Sequence, residues 1–483
     1  MTQFIGRDKE LAILKDQTHK RIASLIVIRG RRRIGKSRLI EEFCKPFLSY
    51  KFMGLPPTKD TTNQDQINEF LRQLCEQFGL PEISFKDWGN VFLFLAKQLP
   101  AGRVILVFDE ISWMGSKDSN FSGKLKTIWD TYFKKNDKLI LIICGSVSAW
   151  IEENIINNTG YVGRISCTIT LEELQLNYCN QFFRNYSDNI SAYEKFKLLA
   201  VTGGVPRYLE EIRPELTAEQ NLKKICFTKG AFLFDEFDRI FSDIFLKHSD
   251  VYKKAVVALM EAKLSPSELA NAIGIELGSK ISKYFNELDL AGFLSRYSTW
   301  DIKTGQASKL SKYSIKDNYI RFYLKYILPN RHKIETGSFD EKSLSNLTGW
   351  TSIMGLQFEN LVLNNRRKIW EILEIKADEI IWDNPFFQHH TSKMSGCQID
   401  YMIQVKSRNL YIFEIKFLTK EINKDIIPEV NEKIRRLKKP KGYSCRPILI
   451  HVNGVNESVS EQDYFAKIID FGELLTVGVK INE

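Results

Sequence analysis

The feature that most constrains this chain is a glycine-rich loop between an apolar run and a helical pattern. Gly30, Gly35, Lys36 and Ser37 occupy the fixed positions of the pattern G-x-x-x-x-G-K-[ST]. The apolar run at 25–28 precedes the loop and predicts a buried strand. Glycine permits a close backbone approach, and the N–H groups of the loop and of the following helix attract phosphate. The segment therefore predicts a site for the phosphates of a nucleotide.

Each position of this loop has an expected role. Lys36 is expected to reach the β- and γ-phosphates, and the Ser37 hydroxyl is expected to coordinate Mg²⁺. The arginines at 31–33 are expected to face solvent, although one of them could touch phosphate or nucleic acid. The residues expected to line the bound nucleotide are Gly30, Arg31, Arg32, Arg33, Ile34, Gly35, Lys36, Ser37 and Arg38.

A second apolar run ends in two carboxylates. Residues 104–108 are all apolar and are followed by Asp109 and Glu110. Beside a phosphate loop, Asp109 would hold Mg²⁺ through water, and Glu110 would orient or deprotonate the attacking water. The alternative is a buried strand that ends in Asp-Glu only because it reaches solvent. The phosphate loop favours the catalytic interpretation.

Two further residues are candidates for contact with a transferred phosphoryl group. Ser146 follows a third apolar run and could sense the γ-phosphate or position water, and the alternative is a turn serine. Arg164 follows an Asn-Asn-Thr-Gly segment and could stabilise the developing charge, and a solvated loop arginine is the alternative. The sequence leaves open whether Arg164 would act within its own chain or from a neighbouring subunit.

Composition limits the class of protein without naming its function. The chain has 483 residues, of which 43% are hydrophobic and 27% charged, as in folded globular proteins. Its 8 cysteines form no C-x-x-C pair, which predicts reduced thiols rather than disulfides or a zinc site. We expect a cytoplasmic protein without a transmembrane helix, because the sequence shows no signal pattern and no long apolar stretch. The net charge of +10 suits a polyanionic partner but does not establish one.

The order of patterns along the chain predicts three parts. Residues 1–235 alternate strands and helices, which predicts a mainly parallel α/β sheet with helices on both faces. Residues 240–330 predict a winged helix-turn-helix domain, and residues 345–483 predict a second α/β domain. In the first part the expected strands are 24–28, 103–108, 139–144 and 165–169, and the expected helices are 66–78, 88–99 and 124–133.

The expected helix-turn-helix suggests a second nucleic-acid contact. Ser267 is expected to cap its first helix, with Pro266 just outside that helix. Lys280 and Lys283 lie on its second helix and would contact DNA phosphates if the domain binds DNA.

The last part carries a set of charged residues on successive elements. Glu359 lies in a helical pattern, Asp400 on one strand pattern, and Glu414 and Lys416 on the next. Because Glu414 and Lys416 are two residues apart on a strand, both face the same side. The same tripeptide at 374–376 is rejected, since it follows a helix and lacks the preceding strands. The alternative is a Lys–Glu pair on an edge strand.

A basic segment at 433–441 follows these strands. It could track a phosphate backbone beside the charged residues, and a solvated helix end is the alternative.

The motifs of the first part resemble the AAA+-related signal-transduction ATPases of the STAND class. The resemblance extends to the mostly archaeal and bacterial branch that carries a C-terminal nuclease-like domain. It implies that Arg7 lies by the adenine, that Pro206 reports the nucleotide state from a helical lid, and that a winged helix acts as an internal lever. The residues that carry it are Gly6-Arg7, the phosphate loop, Asp109-Glu110, Gly145-Ser146 and Thr202-Gly-Gly-Val-Pro206.

The charged set of the last part resembles the PD-(D/E)XK nuclease fold. The usual proline before the aspartate is missing, and Ile399 stands in its place. The resemblance implies that Asp400 and Glu414 hold Mg²⁺, that Lys416 orients or activates water, and that Glu359 completes the site.

The combined resemblances imply an ATP-binding and ATP-hydrolysing switch. Nucleotide state would be coupled to nucleic-acid binding or to Mg²⁺-dependent DNA cleavage by the C-terminal domain. The alternative is a regulatory or signalling ATPase that binds DNA or protein partners and has no nuclease activity. ATP and Mg²⁺ are the expected cofactors, and DNA and further copies of the chain are the candidate partners.

Overall fold

The computed structural model describes residues 4–58, 60–146, 149–244, 249–339, 343–390, 392 and 395–476. The termini at 1–3 and 477–483, which the predicted first and last parts include, lie outside the described residues. The chain divides into two compact units, residues 1–172 and residues 173–483. Among the described residues, no helix combines the length and the apolarity needed to cross a bilayer.

The first unit is built on a five-stranded sheet. The strand order is β2-β3-β4-β1-β5, and every neighbouring pair is parallel. Its strands are β1 (Ser24–Gly30), β2 (Ser49–Met53), β3 (Val104–Asp109), β4 (Leu139–Ser146) and β5 (Ile165–Leu171). Its α-helices are α1 (Asp8–Gln17), α2 (Lys36–Cys44), α3 (Asn63–Phe78), α4 (Trp88–Gln98), α5 (Ile111–Gly115), α6 (Phe121–Thr131) and α7 (Ala149–Ile151).

The central strands are continuous apolar runs because both faces of the sheet are buried. Along β1, Leu25 and Val27 belong to one core, whereas Ile26 and Ile28 belong to the other. Strands β3 and β4 alternate in the same way between the two cores. A parallel sheet covered on both faces requires this composition. The predicted parallel α/β fold of the first part is therefore confirmed.

The edge strand β2 is the strand of this sheet that the sequence pattern does not predict. Only Phe52 of its five residues is buried, so the strand shows no apolar run. Its pairing with β3 places Met53 opposite Asp109. The strand matters for the site, because it brings a lysine, Lys51, next to the end of β3.

The second unit contains the remaining elements. Its strands are β6 (Leu294–Trp300), β7 (Ala307–Ile315), β8 (Ile380–Gln388), β9 (Cys397–Val405), β10 (Asn409–Ile415), β11 (Ser444–His451) and β12 (Lys467–Asp470). Its first α-helices are α8 (Leu176–Asn180), α9 (Ala192–Thr202), α10 (Pro206–Leu209), α11 (Ala218–Cys226), α12 (Phe232–Ile244), α13 (Ser249–Ala258), α14 (Pro266–Ala272) and α15 (Ser279–Leu290). The remaining α-helices of the second unit are α16 (Asn318–Phe322), α17 (Arg331–Glu335), α18 (Trp350–Asn364), α19 (Arg366–Ile372), α20 (Ile426–Arg436), α21 (Glu457–Ser460) and α22 (Phe471–Thr476).

A mixed sheet organises the end of the chain. The strand order is β12-β11-β10-β9-β8. Strands β8, β9 and β10 are antiparallel neighbours, whereas β10, β11 and β12 are parallel. Helix α18 precedes the three antiparallel strands, and α20 connects β10 to β11. The order of these main elements is helix, three strands, helix, strand.

The middle segment, which we define as residues 249–315, consists of three helices and a hairpin. Strands β6 and β7 are antiparallel, and Leu264 forms a further antiparallel bridge to Tyr313 of β7. The predicted cap of α14 is wrong by two residues. Ser265 is the cap, its Oγ accepts from the N–H of Glu268, and Pro266 is the first helical residue. A proline fits that position because its missing N–H would have no partner there in any case.

The hairpin β6–β7 packs on the C-terminal sheet. The Trp300 ring stacks on Trp382 at 5.3 Å, and the Trp300 Nε1–H donates to Gln404 at 2.5 Å. A single apolar core also runs through the elements between Leu174 and Leu475. In the second unit, the elements of residues 174–235, of the middle segment and of the C-terminal part therefore share one core. The division into 1–235, 240–330 and 345–483 stays a prediction.

Candidate active sites

The phosphate loop connects β1 to α2. Gly35 caps α2 with φ of 91°, a left-handed conformation that glycine adopts without strain. A Cβ at Gly30 would lie 2.7 Å from the carbonyl oxygen of Leu171 on β5, so this position also requires glycine. The loop therefore lies at the carboxyl end of the sheet, where parallel α/β folds bind ligands.

Lys36 and Ser37 begin helix α2, and their side chains contact the loop and the end of β3. The buried Lys36 Nζ donates to the carbonyl oxygens of Gly30 at 3.0 Å and Arg31 at 3.1 Å. The Ser37 hydroxyl lies 3.1 Å from Oδ2 of Asp109. A hydroxyl beside a carboxylate is a donor set that fits Mg²⁺.

Lys51 of β2 is a further member of this site. Its Nζ lies 3.1 Å from the same oxygen, Oδ2 of Asp109. Burial raises the pKa of Asp109, but Lys51 and the other partners outweigh that effect and hold the pKa below its usual value. The carboxylate is therefore ionised at neutral pH and available to a cation. The sequence does not indicate Lys51, because nothing in the sequence pairs β2 with β3.

Glu110 and Ser146 meet beside Lys36. The Ser146 N–H donates to the Glu110 carboxylate, and burial raises the pKa of Glu110 above its usual value, with the Lys36 ammonium opposing the shift. Oε2 of Glu110 and Oγ of Ser146 are buried and have no hydrogen-bond partner in the described part of the chain. A buried carboxylate with a raised pKa and one unused oxygen fits a general base.

Arg7 ties the N-terminal segment to the loop. Its Nη2 donates to the carbonyl of Ile34 at 3.0 Å and to the carbonyl of Glu172 at 2.7 Å. The side chain is buried, and the Arg7 backbone is left-handed with φ of 68°. Arg7 therefore connects the phosphate loop to the end of β5 through two hydrogen bonds.

The three loop arginines, which are expected to face solvent unless one touches phosphate or nucleic acid, differ in their exposure. Arg31 is buried, with 7% of its surface exposed, whereas Arg32 and Arg33 are half-buried. The Arg32 guanidinium lies 5.6 Å from the centre of the Trp113 ring. Arg38 lies on α2, with Nη1 at 3.8 Å from Glu41. The expected solvent exposure is thus wrong for Arg31, because the loop turns its side chain inward.

Arg164 lies at the wrong end of the sheet for a role in its own chain. It precedes β5, whose first residue Ile165 pairs with Leu25 at the start of β1. The phosphate loop begins at the other end of β1, about 17 Å away at 3.3 Å per residue. Arg164 donates to Asp130 of α6, from Nε at 2.9 Å and from Nη2 at 2.8 Å. This position does not support a contact of Arg164 with phosphates bound at the loop of its own chain, and the role of Arg164 in phosphoryl transfer stays a prediction.

A family model matches the first part of the chain. Residues 4–212 match the family model of an ATPase domain predominantly from Archaea. Residues 4–212 form a P-loop ATPase domain. An uncharacterised protein of Methanocaldococcus jannaschii, MJECL04, is 26% identical over 360 residues, which cover 74% of this chain and 76% of that protein.

Two solved structures are similar at low sequence identity. The Walker-type ATPase PABY2304 of Pyrococcus abyssi has a TM-score of 0.45 at 14% identity, covering 66% of this chain and 96% of that one. The ORC2 protein of Aeropyrum pernix, solved as ADPNP–ADP complexes, has a TM-score of 0.40 at 12% identity, covering 70% of this chain and 96% of that one.

The predicted Gly-Gly-Val-Pro motif of the ATPase domain lies in the second unit. The backbone at Gly204 approaches Leu174 so closely that a Cβ would lie 2.2 Å from the Leu174 carbonyl oxygen. The Gly204 N–H donates to Glu173 at 3.0 Å, and Pro206 is the first residue of α10. The motif therefore forms a tight turn into α10, and its relation to the nucleotide stays a prediction.

The C-terminal carboxylates meet on neighbouring strands. The register of β9 and β10 pairs Tyr401 with Phe413, so the next pair along is Asp400 and Glu414. Oδ2 of Asp400 accepts from the Ile415 N–H at 3.1 Å. Burial raises the pKa of Glu414 to about 7, and the charge of Asp400 adds to the shift. Asp400 likewise raises the pKa of Glu359 on α18, although burial is the larger cause. We call Glu359, Asp400 and Glu414 the carboxylate cluster.

Lys416 is not the lysine that contacts these carboxylates. Its Nζ lies 3.1 Å from Oε2 of Glu429 on α20. One turn later, Lys433 of the same helix reaches back to Glu414, with Nζ at 2.5 Å from Oε2. Only 4% of the Glu414 side chain and 24% of the Lys433 side chain are exposed. Lys433 is therefore the lysine of α20 that contacts the cluster, and the expected role of Lys416 in orienting or activating water stays a prediction.

A second lysine reaches the cluster from the middle segment. The Lys263 Nζ contacts Oε2 of Glu359 in a largely buried ion pair. Lys433 lies in the basic segment that the sequence indicates, whereas nothing in the sequence indicates Lys263. Among the described residues, no three His, Cys, Asp or Glu side chains are grouped closely enough to hold a metal ion. In this structure, Lys263 neutralises Glu359 and Lys433 neutralises Glu414.

Proposed function

We propose that the chain is an ATP-driven switch of the STAND type that controls a C-terminal PD-(D/E)XK-like nuclease domain acting on DNA. One observation carries the nuclease part of the proposal. Asp400 and Glu414 are adjacent on antiparallel strands, and Glu359 and a lysine accompany them, within the order helix, three strands, helix, strand. Adjacent carboxylates with a lysine are the groups that metal-dependent phosphodiester cleavage requires.

In the ATPase domain, each residue has one step to perform. Lys36 leaves the loop carbonyls and binds the β- and γ-phosphates of ATP, which also receive the loop N–H groups. Glu110 accepts a proton from the attacking water through its unpartnered oxygen, and Ser146 orients that carboxylate. Mg²⁺, when bound, would be held by Ser37 and Asp109 and would neutralise phosphate charge. Lys51 must then share or release Asp109 Oδ2.

In the C-terminal domain, the carboxylates would hold the metal and a lysine would hold the phosphate. Asp400 and Glu414 would bind Mg²⁺, which supplies Lewis-acid activation of the scissile phosphate. Glu359 of α18 would join these two ligands only when the metal binds, because the three side chains are not grouped closely enough for a metal among the described residues. Lys433 is the better candidate than Lys416 for a role in this site, because the Lys433 Nζ contacts Glu414, whereas the Lys416 Nζ contacts Glu429 outside the cluster. An ammonium in that position stabilises the charge that develops on the phosphate oxygens.

The middle segment would transmit the nucleotide state, as the winged helix of this class does. Two contacts of Trp300 support a lever rather than a DNA-binding wing. Trp300 of β6 stacks on Trp382 and donates to Gln404, so the hairpin packs on the C-terminal sheet. Lys280 and Lys283 remain on the exposed face of α15, where they would contact DNA phosphates. Arg7 and Pro206 would respond to the adenine and to the nucleotide state.

The second candidate is a regulatory ATPase without nuclease activity. The observation that favours it is the engagement of Glu359 and Glu414 by lysines, together with the ion pair of Lys416 with Glu429. Such a domain would bind DNA or protein through its charges alone.

Cleavage of DNA separates the two candidates. Wild type, Asp400→Ala and the exposed-carboxylate control Asp425→Ala are incubated with linear and supercoiled DNA in Mg²⁺ or Mn²⁺, with ATP, with ADP and without nucleotide. The nuclease proposal expects cleavage by wild type and Asp425→Ala and its loss in Asp400→Ala. No cleavage by the wild type under any of these conditions leaves the regulatory ATPase as the function.

A further inference from the structure

The edge strand β2 carries a lysine whose backbone is held on both sides. The strand pairs with β3 so that Lys51 lies opposite Val107, two residues before Asp109. On the free edge of β2, the Gln77 side chain of α3 accepts from the Lys51 N–H at 2.9 Å and donates to the Lys51 carbonyl at 2.8 Å. The position of Lys51 in the sheet is therefore fixed by β3 and by α3.

A second glutamine makes the same pair of hydrogen bonds two residues further along β2. Gln73 of α3 accepts from the Met53 N–H at 2.8 Å and donates to the Met53 carbonyl at 2.9 Å. The two amide side chains satisfy backbone groups that an edge strand otherwise leaves to solvent or to another chain. Helix α3 thus keeps β2 in register with β3, and this register decides which side chain of β2 reaches the end of β3.

The Lys51 ammonium lies against a carboxylate that accepts on both of its oxygens. The Lys51 Nζ and the Ser37 hydroxyl are each 3.1 Å from Oδ2 of Asp109, and the Glu110 N–H donates to Oδ1 at 3.1 Å. Only 3% of the Asp109 side chain is exposed, compared with 32% of the Lys51 side chain. Asp109 is therefore fixed, and Lys51, on its flexible four-carbon stem, is the partner that can move.

The β- and γ-phosphates of a bound nucleotide would lie beside this contact. In P-loop NTPases the loop lysine and the loop serine serve these two phosphates, and Ser37 is that serine. A triphosphate without a metal ion carries several negative charges, which the buried Asp109 carboxylate repels. The Lys51 ammonium reduces this repulsion while it stays at Asp109, and its stem allows it to turn to a phosphate oxygen.

We propose that Lys51 is a second phosphate-binding lysine, which supplies positive charge to the γ-phosphate end of ATP when no divalent cation is bound. The chain then binds ATP without Mg²⁺, and Lys51 favours ATP over ADP. When a divalent cation accompanies the nucleotide, Lys51 contributes less, because two cations beside one carboxylate repel each other. The inference rests on the nucleotide site of the proposed function and is independent of the C-terminal domain.

Nucleotide affinity in a chelator tests this assignment without a metal. A fluorescent ATP analogue is titrated in excess EDTA into the full-length wild type, Lys51→Met and Lys51→Arg, and competition with ADP gives the affinity for the diphosphate. We expect Lys51→Met to weaken ATP binding about tenfold or more, as the loss of a hydrogen bond to a charged group does. Its loss of ADP affinity, and its loss of ATP affinity in Mg²⁺, should be smaller. Lys51→Arg keeps the charge and should bind ATP nearly as wild type does.

Lys45→Met is the matched control for the loss of a lysine from the same part of the chain. Lys45 follows α2, and its Nζ lies 2.6 Å from Oε2 of Glu42 on that helix. We expect this variant to bind ATP and ADP as wild type does.

A second measurement leaves Lys51 in place and does not depend on how a variant folds. The rate at which an amine-selective reagent labels Lys51 in the wild type is followed by peptide mass spectrometry in EDTA, with ATP, with ADP and without nucleotide. Lys45 is the internal reference in the same digest. We expect ATP to slow the labelling of Lys51 more than ADP does and to leave the labelling of Lys45 unchanged.

The outcomes separate this inference from the nucleotide site on which it rests. If wild type binds ATP in Mg²⁺ but not in EDTA, or if Lys51→Met binds ATP in EDTA as tightly as wild type, Lys51 does not bind phosphate. Equal losses for ATP and ADP, for EDTA and Mg²⁺, or for Lys51→Met and Lys51→Arg overturn the inference, as does labelling of Lys51 that saturating ATP does not slow. If Lys36→Ala binds ATP as wild type does, the nucleotide site itself is refuted.

Discussion

Replacing Glu110 by Gln separates ATP binding from ATP hydrolysis. The substitution keeps the size of the side chain and its hydrogen bond from Ser146 but removes the charge that accepts a proton. Asp109 cannot replace it, because Ser37 and Lys51 occupy its Oδ2. We expect the hydrolysis rate to fall by the factor that a general base usually contributes, about 10²–10⁴-fold. This factor corresponds to about 3–5 kcal/mol of transition-state stabilisation.

Binding of ATP should survive this change, because Lys36 and the loop N–H groups do not depend on Glu110. The assay is steady-state phosphate release together with the affinity for a fluorescent ATP analogue. Glu41→Gln on the exposed side of α2 is the matched control and should hydrolyse ATP as wild type does. Because burial raises the pKa of Glu110, the wild-type hydrolysis rate should fall as the pH falls through that raised pKa. The residual rate of the Gln variant should not show this decrease at acidic pH. Normal turnover by Glu110→Gln would refute the assignment of the base.

Four further perturbations test other parts of the structure. Lys36→Ala should abolish nucleotide binding, measured with the same analogue, because the ammonium that neutralises the phosphates is gone. Arg164→Ala should leave ATP hydrolysis unchanged at low protein concentration and lower the midpoint of chemical denaturation only slightly, because the ion pair that it removes is solvent-exposed. A loss of hydrolysis that appears only at high protein concentration would indicate a role across subunits. Ser265→Ala should destabilise the chain in chemical denaturation by about 1 kcal/mol, whereas Ser267→Ala should not, because only the former caps α14. Glu414→Gln in chelator should gain melting temperature relative to wild type as the pH rises from 5 to 8, since a carboxyl whose pKa is raised to about 7 favours the folded state only while it stays protonated.

The nucleotide site follows from the sequence because its parts are local. The loop 30–37 and the strand ending in Asp109 each carry their own pattern, and a parallel sheet brings strand ends together at one edge. The position of Arg164 does not follow, because it depends on the register of β5 against β1, which is a long-range property. Lys51 is missed for a related reason, since its edge strand buries a single side chain and shows no apolar run.

The C-terminal site is predicted less completely. The strand patterns identify Asp400 and Glu414 as neighbours, and the register of β9 and β10 confirms that adjacency. Spacing on a strand selects Lys416, but the packing of α20 against the sheet decides which lysine reaches Glu414. Lys263 comes from more than ninety positions before Glu359, and only the tertiary structure brings it to the cluster.

The dependence of DNA cleavage on nucleotide state is the decisive measurement for a switch that governs the C-terminal domain. Initial rates in Mn²⁺ are compared between Glu110→Gln loaded with ATP, which holds the ATP state, and Lys36→Ala, which holds the empty state. We expect the two rates to differ by about tenfold or more and both to vanish when Asp400→Asn is added. Equal rates in the two nucleotide states, or cleavage that survives Asp400→Asn, would contradict the coupling of this ATPase to a nuclease.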